Sequence, residues 1–419
     1  MHPFEINGRT YFLDQLKQDL PTFDLTCWLQ QQPLYPKVFW KERDGQITRA
    51  AVGSLVTFSR IPQFSGTIPY EIRLYGGIRF AKKYPPNDDT WQRFSQVSFW
   101  LPQIELSQNR GKTEAVFHFL NENPSLEASH KQFDVKIEPP SSKTYPLLNR
   151  HETPNFETWQ KGTQTVLQAI SSGELNKLVL ARKTRLQFSQ PISPWPLLRH
   201  LIEKATHATL FAFQLSPSIC FLGATPEKLF ERVGNVLNAD AIAATRPRGK
   251  TVEEDSQFEQ ELLHDSKELR EFNIVKEFLE TAITPFSKER RWEGPDQILK
   301  TSHVQHIHNR LNAVLKNQTS DAELIDALHP TPALGGFPRK PALSLLRQIE
   351  PFDRGWYGAP IGVISPSGAS LYVAIRSALI RHHSLDLFAG TGVVDGSTAE
   401  YEWDELEQKI RPFTEMFLK

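Results

Sequence analysis

Toward the C-terminal end, the stretch "EYEWDELEQKI" (400–410) sets four glutamates and an aspartate around one tryptophan. At 100° per helical residue, Glu402 and Glu405 share a face, with Lys409 one turn further on. A second pair at the same spacing, Glu268 and Glu271, stands in "SKELREFNIVKEF". A solvated helix with a Glu405–Lys409 ion pair explains the first stripe alone. Two Glu-x-x-Glu stripes on separate helices can also converge on a hard cation, and Trp403 and Leu406 would lay apolar surface beside one of them. Oxygen-only ligands without cysteine point to Mg²⁺, which takes a few carboxylates, waters and oxygens of its substrate.

Two further residues are candidates for acid–base chemistry. Lys177 opens the apolar strand "KLVLAR". It is either an edge charge that blocks aggregation or, partly desolvated, a general base, because burial disfavours the ammonium. In "FLGATPEKLF", Pro226 and Glu227 either open a helix, where the backbone dipole favours a glutamate, or bring a carboxyl to a site. Other patterns carry less. "RGKT" (248–251) resembles the end of a phosphate loop, but Ala244 stands where the loop's first glycine belongs. His303, His306 and His308 lack an HExxH pattern and do not share one helix face, which leaves them as surface or pocket histidines.

The elements that must position these groups are legible in outline. The chain has 419 residues, 39% hydrophobic and 23% charged, enough for a large core. Lys plus Arg and Asp plus Glu each total 48, so no global field recruits nucleic acid or an anionic membrane. Cys27 and Cys220 are the only cysteines, which excludes a disulfide scaffold or thiolate zinc site and fits a cytoplasmic location. No secretory signal or membrane-spanning apolar run is present. "RLYGGIRF", "SFWLPQIELS" and "KTEAVFHFL" read as strands, making the first third mostly β. The Pro/Ser-rich "EPPSSKTYPLLNRHETP" (138–154) reads as a linker. Beyond it the pattern predicts a helix closing on Gly173, strands at "KLVLARKTRLQF", "LFAFQLSPSICFLGA" and "NVLNADAIA", and one long helix from Asp255 to about Ile283. The turn signals within 358–394 predict an antiparallel meander, followed by a helix over 400–417.

In order and spacing, "LNKLVLAR", "FLGATPEKLF", "LHPTPALGGFP", "IEPFDRGWYGAPIG", "AIRSALI" and "LFAGTGVVDGSTAEYEWDELEQKI" resemble the chorismate-utilising enzymes, most specifically the isochorismate synthases. The resemblance is dense from about residue 155, thinner at "GGIRF" and "FWLPQIEL", and absent over 1–70. It implies an α+β fold, two antiparallel sheets packed as a sandwich with surrounding helices. It also implies one chorismate-binding domain over 1–419, with a divergent, mostly-β part at 1–150, a motif-bearing core at 151–419 and the linker internal.

The implied reaction adds water at carbon 2 of chorismate while the 4-hydroxyl departs. Lys177 would be the base and Glu227 the acid. Glu271 and Glu405 would be Mg²⁺ ligands, with Glu268 and Glu402 holding metal-bound waters. Arg376 and Lys409 match the family's carboxylate contacts, the amides of Gly390, Thr391 and Gly392 offer further donors, and His306 and Ala333 line the pocket. One departure stands out: the family usually reads "AGT" where this chain has Ala243, Ala244 and Thr245, and the added methyl at Ala244 restricts φ beside the substrate. The resemblance implies no nucleic-acid, membrane or glutaminase partner, and a monomer. A salicylate synthase or an aminating synthase is the alternative enzyme, and a silent binding protein the alternative of another class. Isochorismate feeds menaquinone, siderophore and salicylate synthesis alike.

Overall fold

The computed structural model describes residues 2–43, 46–66, 68, 71–81, 88–120, 144–300 and 304–417. Alternating side chains make strands and the strands make two sheets. The larger runs from Leu147–Thr153 at one edge through Lys177–Phe188, Ser384–Val393, Ser377–Arg381, Ile219–Thr225, Thr209–Ser216, Lys37–Lys41, Ile47–Val52, Ile104–Asn109, Lys112–Leu120, Arg9–Leu20 and His2–Ile6 to Phe64–Ser65. The smaller runs from Ser287–Trp292 through Val304–Leu315, Val236–Pro247, Lys228–Val233, Gly368–Val373, Pro360–Ile364, Leu74–Ile78 and Val97–Leu101 to Val56–Phe58. Neighbouring strands of the described residues pair antiparallel. Strands from the first 120 residues sit in both sheets beside strands from the rest of the chain.

The layer between the sheets is aromatic. Trp40, Phe211, Phe213, Phe221 and Phe388 of the larger sheet meet Tyr75, Trp100 and Tyr372 of the smaller, with Trp91, Phe94 and Trp356 filling between them. Edge-to-face pairs such as Phe94–Trp356, at 5.0 Å between centroids, set this layer's geometry. The outer faces are covered by helices whose apolar stripes complete a second, aliphatic core. Phe156–Ser171 starts at an Asn155 cap and buries Trp159, Gly162, Thr163 and Val166. Trp159 reaches the start of Ala399–Thr414, donating its indole N–H to the Ala399 carbonyl at 3.1 Å.

Four expectations need correction. The long helix from Asp255 is two helices, Val252–His264 and Ser266–Ile283. Asp265 breaks them: it is extended, and its carboxylate caps the N–H groups of Lys267 and Glu268. The linker over 138–154 contains the edge strand Leu147–Thr153, paired with Lys177–Phe188, and its residues 138–143 lie outside the described ones. The meander is two hairpins in different sheets, Pro360–Ile364 with Gly368–Val373 in the smaller and Ser377–Arg381 with Ser384–Val393 in the larger. Pro226 and Glu227 open no helix, because they bridge the strands Ile219–Thr225 and Lys228–Val233.

Candidate active site

Two of the places where the chain passes from one sheet to the other are Pro226–Glu227 and Ala374–Arg376. The two crossings are tied together. The Thr225 hydroxyl donates to the Val373 carbonyl at 2.6 Å, Val373 N–H donates to the Glu227 carbonyl at 3.0 Å, and Ala224 N–H donates to the Arg376 carbonyl at 3.0 Å. Beside them opens a cavity. Its wall contains Lys177, Glu227, Ala244, Thr245, Glu268, Glu271, His306, Ala333, Arg376, Gly390, Thr391, Gly392, Glu402, Glu405 and Lys409, whereas Trp403 packs against Phe156, Trp159 and Arg182, Leu406 lies in the core, and His308 is not part of the wall. His303 lies outside the described residues, and His308 faces Asp240.

Lys177 is 2% exposed and begins a strand paired on both sides, so the edge-charge reading fails. Its ammonium bonds Glu271. Gly392 makes room for it, since a Cβ there would meet Lys177 Cε at 2.7 Å. Across the cavity Glu227 is buried, and burial, with a contribution from Asp240, raises its carboxyl to about 7 against the opposing pull of Lys177 and Lys409.

The rim is crowded with carboxylates. Glu268 and Glu271 come from the first turns of Ser266–Ile283, Glu402 and Glu405 from those of Ala399–Thr414. Burial and then Glu271 push Glu268 up to about 7, while burial and then Glu405 raise Glu402. Burial would raise Glu405 too, but Lys409 and the Thr391 hydroxyl hold it below the usual carboxylate range. Thr391 bonds both Glu402 and Glu405, the latter at 3.0 Å. Lys409 joins Glu405 to the Gly390 carbonyl, 2.8 Å from its ammonium.

These residues fit a hard divalent cation in chemistry: they offer oxygen donors only, and two carboxyls are raised by like-charged neighbours that a cation would relieve. Among the described residues no three acidic, His or Cys side chains form a ready-made metal cage. Lys177 and Lys409 occupy two of the four carboxylates instead.

Arg376 is a buried cation of the cavity wall. It makes no ion pair among the described residues, and its φ of +50° turns it at the crossing between sheets. His306 is neutral, lowered to about 3 by burial and by Arg376. Its Nδ1 stands 3.1 Å from the Ala244 carbonyl and 3.0 Å from the Thr245 hydroxyl. Ala244 sits at φ +61°, in a bulge between Ala243 and Thr245. A left-handed alanine is strained by roughly 1–2 kcal/mol, and the usual glycine would relieve it. Tyr357, within the motif "IEPFDRGWYGAPIG", also lines the cavity, and nothing in its sequence context singles it out from the rest of that motif. Its ring stacks on Phe388 at 5.4 Å, and its hydroxyl would meet a Gly390 Cβ at 2.9 Å. Lys267 and Tyr401, at the same cavity, gave no signal beyond position on the acidic helices.

A sandwich of two antiparallel sheets whose crossings carry an acid and an arginine without an ion pair among the described residues, beside a buried strand lysine and an acidic rim, fits an enzyme site for a small anionic molecule. The chain matches the family of chorismate binding enzymes over residues 9–418 and belongs to that family. It is 33% identical over 347 residues to isochorismate synthase MenF of Bacillus subtilis, covering 81% of this chain and 73% of that one. It is 30% identical over 405 residues to isochorismate synthase MenF of Haemophilus influenzae, covering 95% and 90%. Among solved structures, the menaquinone-specific isochorismate synthase MenF from Escherichia coli superposes with a TM-score of 0.84 at 24% identity, covering 99% of this chain and 96% of that chain. Among the described residues no helix is long and apolar enough to cross a membrane.

Proposed function

We propose that this enzyme interconverts chorismate and isochorismate with Mg²⁺ as cofactor. Water adds at carbon 2, the 4-hydroxyl leaves as water, and the ring double bonds shift between them, so one water enters and one departs. Lys177 takes the proton of the attacking water and Glu227 gives one to the leaving hydroxyl. The observation that carries this reading is the pair itself: one cavity holds a buried lysine and a carboxyl that stays protonated up to about pH 7. The Lys177–Glu271 contact has to open before the amine can accept a proton. Arg376 and Lys409 bind the substrate's carboxylates, and His306 lines the pocket. Ala333 and Tyr357 bound the ring. Glu271 and Glu405 would hold Mg²⁺, with Glu268 and Glu402 bonding its waters, and the cation would offset the charge of the ring carboxylate. Because water is the nucleophile, the reaction needs no glutaminase subunit, and we take the enzyme to act as a cytoplasmic monomer.

The test incubates the protein with chorismate and Mg²⁺, with and without chelator, and resolves the products by chromatography beside Lys177→Ala. Chelator-sensitive isochorismate that disappears in the variant supports the reading. Salicylate with pyruvate would make the protein a salicylate synthase, and unchanged chorismate would overturn the enzymatic proposal.

A further inference from the structure

Residues 1–70 contain none of the sequence motifs quoted above, yet one of them stands directly behind Glu227. Arg43 follows the strand Lys37–Lys41 and reaches into the space beneath the crossing at Pro226–Glu227. One nitrogen, Nη1, donates to the Pro226 carbonyl at 3.1 Å and to Asp240 Oδ2 at 2.8 Å. Asp240 is fully buried on the next strand but one, and it also takes Arg310 at 2.9 Å, with His308 at 3.4 Å. Burial alone would raise Asp240, but these three partners hold it well below the ordinary carboxylate range, so it is a fixed anion.

The backbone around Glu227 is bonded at consecutive peptides. The Glu227 N–H lies 3.3 Å from the Thr225 hydroxyl and its carbonyl accepts from Val373. The peptide just before it is fixed by Arg43. The Glu227 carboxyl itself has no hydrogen-bond partner among the described residues, so its position depends on the backbone that carries it. A displacement of about 1 Å at a reacting group costs up to about 100-fold in rate.

Resting on the reading of Glu227 as the proton donor, we propose that Arg43 is a positioning residue for it, clamping the Pro226 carbonyl to the buried Asp240. Arg43 touches neither substrate nor reacting atoms. It acts twice through Glu227: it fixes the peptide, and it neutralises an anion whose field reaches the carboxyl. The charged and titratable groups that act on Glu227 are Lys177, Lys409 and Asp240, with Tyr357 also coupled to it. Removing Arg43 leaves the Asp240 charge less compensated, which disfavours ionised Glu227 and moves its titration to higher pH.

The experiment compares kcat, KM and their pH profiles for the full chain, R43Q, R43K and E227Q, with melting temperatures alongside. R43Q should lose about tenfold or more in kcat with KM within about twofold, and its alkaline limb should move to higher pH. R43K, whose single nitrogen can make both contacts, should recover most of both. If R43Q matches the parent in kcat and pH profile while E227Q is inactive, the clamp is refuted and the acid assignment stands. If R43Q lowers kcat, the melting temperature and substrate affinity together with no shift of the limb, and R43K does the same, Arg43 is merely structural and the proposal fails. An active E227Q would overturn the acid assignment and the clamp with it.

Discussion

Two carboxyls of the cavity, Glu227 and Glu268, are both raised to about 7, and they are raised in different company. Burial leads in each case. Around Glu227 the largest neighbouring effect is Lys177, which pulls against burial; around Glu268 it is Glu271, a like charge that adds to it. The first environment is a buried seat beside a lysine, which suits the proposed proton donor. The second is an anionic rim short of positive charge. Equal acidities therefore do not mean equal tasks: a cation at the rim would ionise Glu268 and leave Glu227 protonated, which is the division a metal-assisted acid–base reaction requires.

The largest expected difference is in turnover. Glu227→Gln should lower kcat by about 10²–10⁴-fold with KM nearly unchanged, the range for removing a general acid. Glu268→Gln should cost far less at saturating Mg²⁺ and appear instead as a higher Mg²⁺ requirement. If steady-state kinetics give the two variants the same profile, the contrast between the ends of the cavity collapses.

Next in size is the effect of Mg²⁺ on stability. At a hundredfold excess over its dissociation constant a ligand stabilises by about 2.7 kcal/mol, so Mg²⁺ should raise the parent's melting temperature. The gain should be larger at pH 8 than at pH 5.5, where protons compete for Glu268 and Glu402. Glu271→Gln should abolish most of it, by calorimetry or thermal-shift measurement.

The pH dependence of stability separates the same two groups. Both folded-state pKa values exceed the ordinary 4.5, so each carboxyl contributes stability that is fully present below about 4.5 and lost as pH rises through about 7. Without Mg²⁺ the melting temperature should decline across that window. Glu227→Gln, neutral at every pH, should melt higher than the parent above pH 7. In activity, kcat/KM should fall as pH rises through about 7, since the proton donor is then lost.

The smallest effect should come from Ala244→Gly, which relieves a left-handed backbone but adds freedom to the unfolded chain. A net gain of about 1 kcal/mol or less is expected in denaturant unfolding. Neither limb of the pH profile should move. A shift would mean that the bulge beside His306 communicates with one of the two carboxyls.

The rim was the part most readily seen in the sequence, because a three-residue spacing on a helix is a geometric statement and the acidic pairs needed only two helices to carry them. The division of strands between sheets was not legible, since alternation marks a strand without naming its neighbours. That is why the two hairpins of 360–393 read as one meander. Leu147–Thr153 was hidden for another reason: as an edge strand with no fully buried residue it lacks the buried alternation that marks its neighbours. Asp265 looked like one more polar residue in an acidic helix, and only its capping bonds reveal the break. Arg43, in "KERDG", reads as a turn. Nothing local announces that its partners lie some 180 to 200 residues away.

The pairing of early strands with late ones bears on how the protein comes to exist. Lys177–Phe188 lies beside Ser384–Val393, and Leu74–Ile78 lies beside Pro360–Ile364, so each strand waits for a partner synthesised some two to three hundred residues later. Closing such long loops must precede the contacts that reward it, which makes folding slow. A nascent chain therefore carries unpaired apolar strand edges until their late partners have been made.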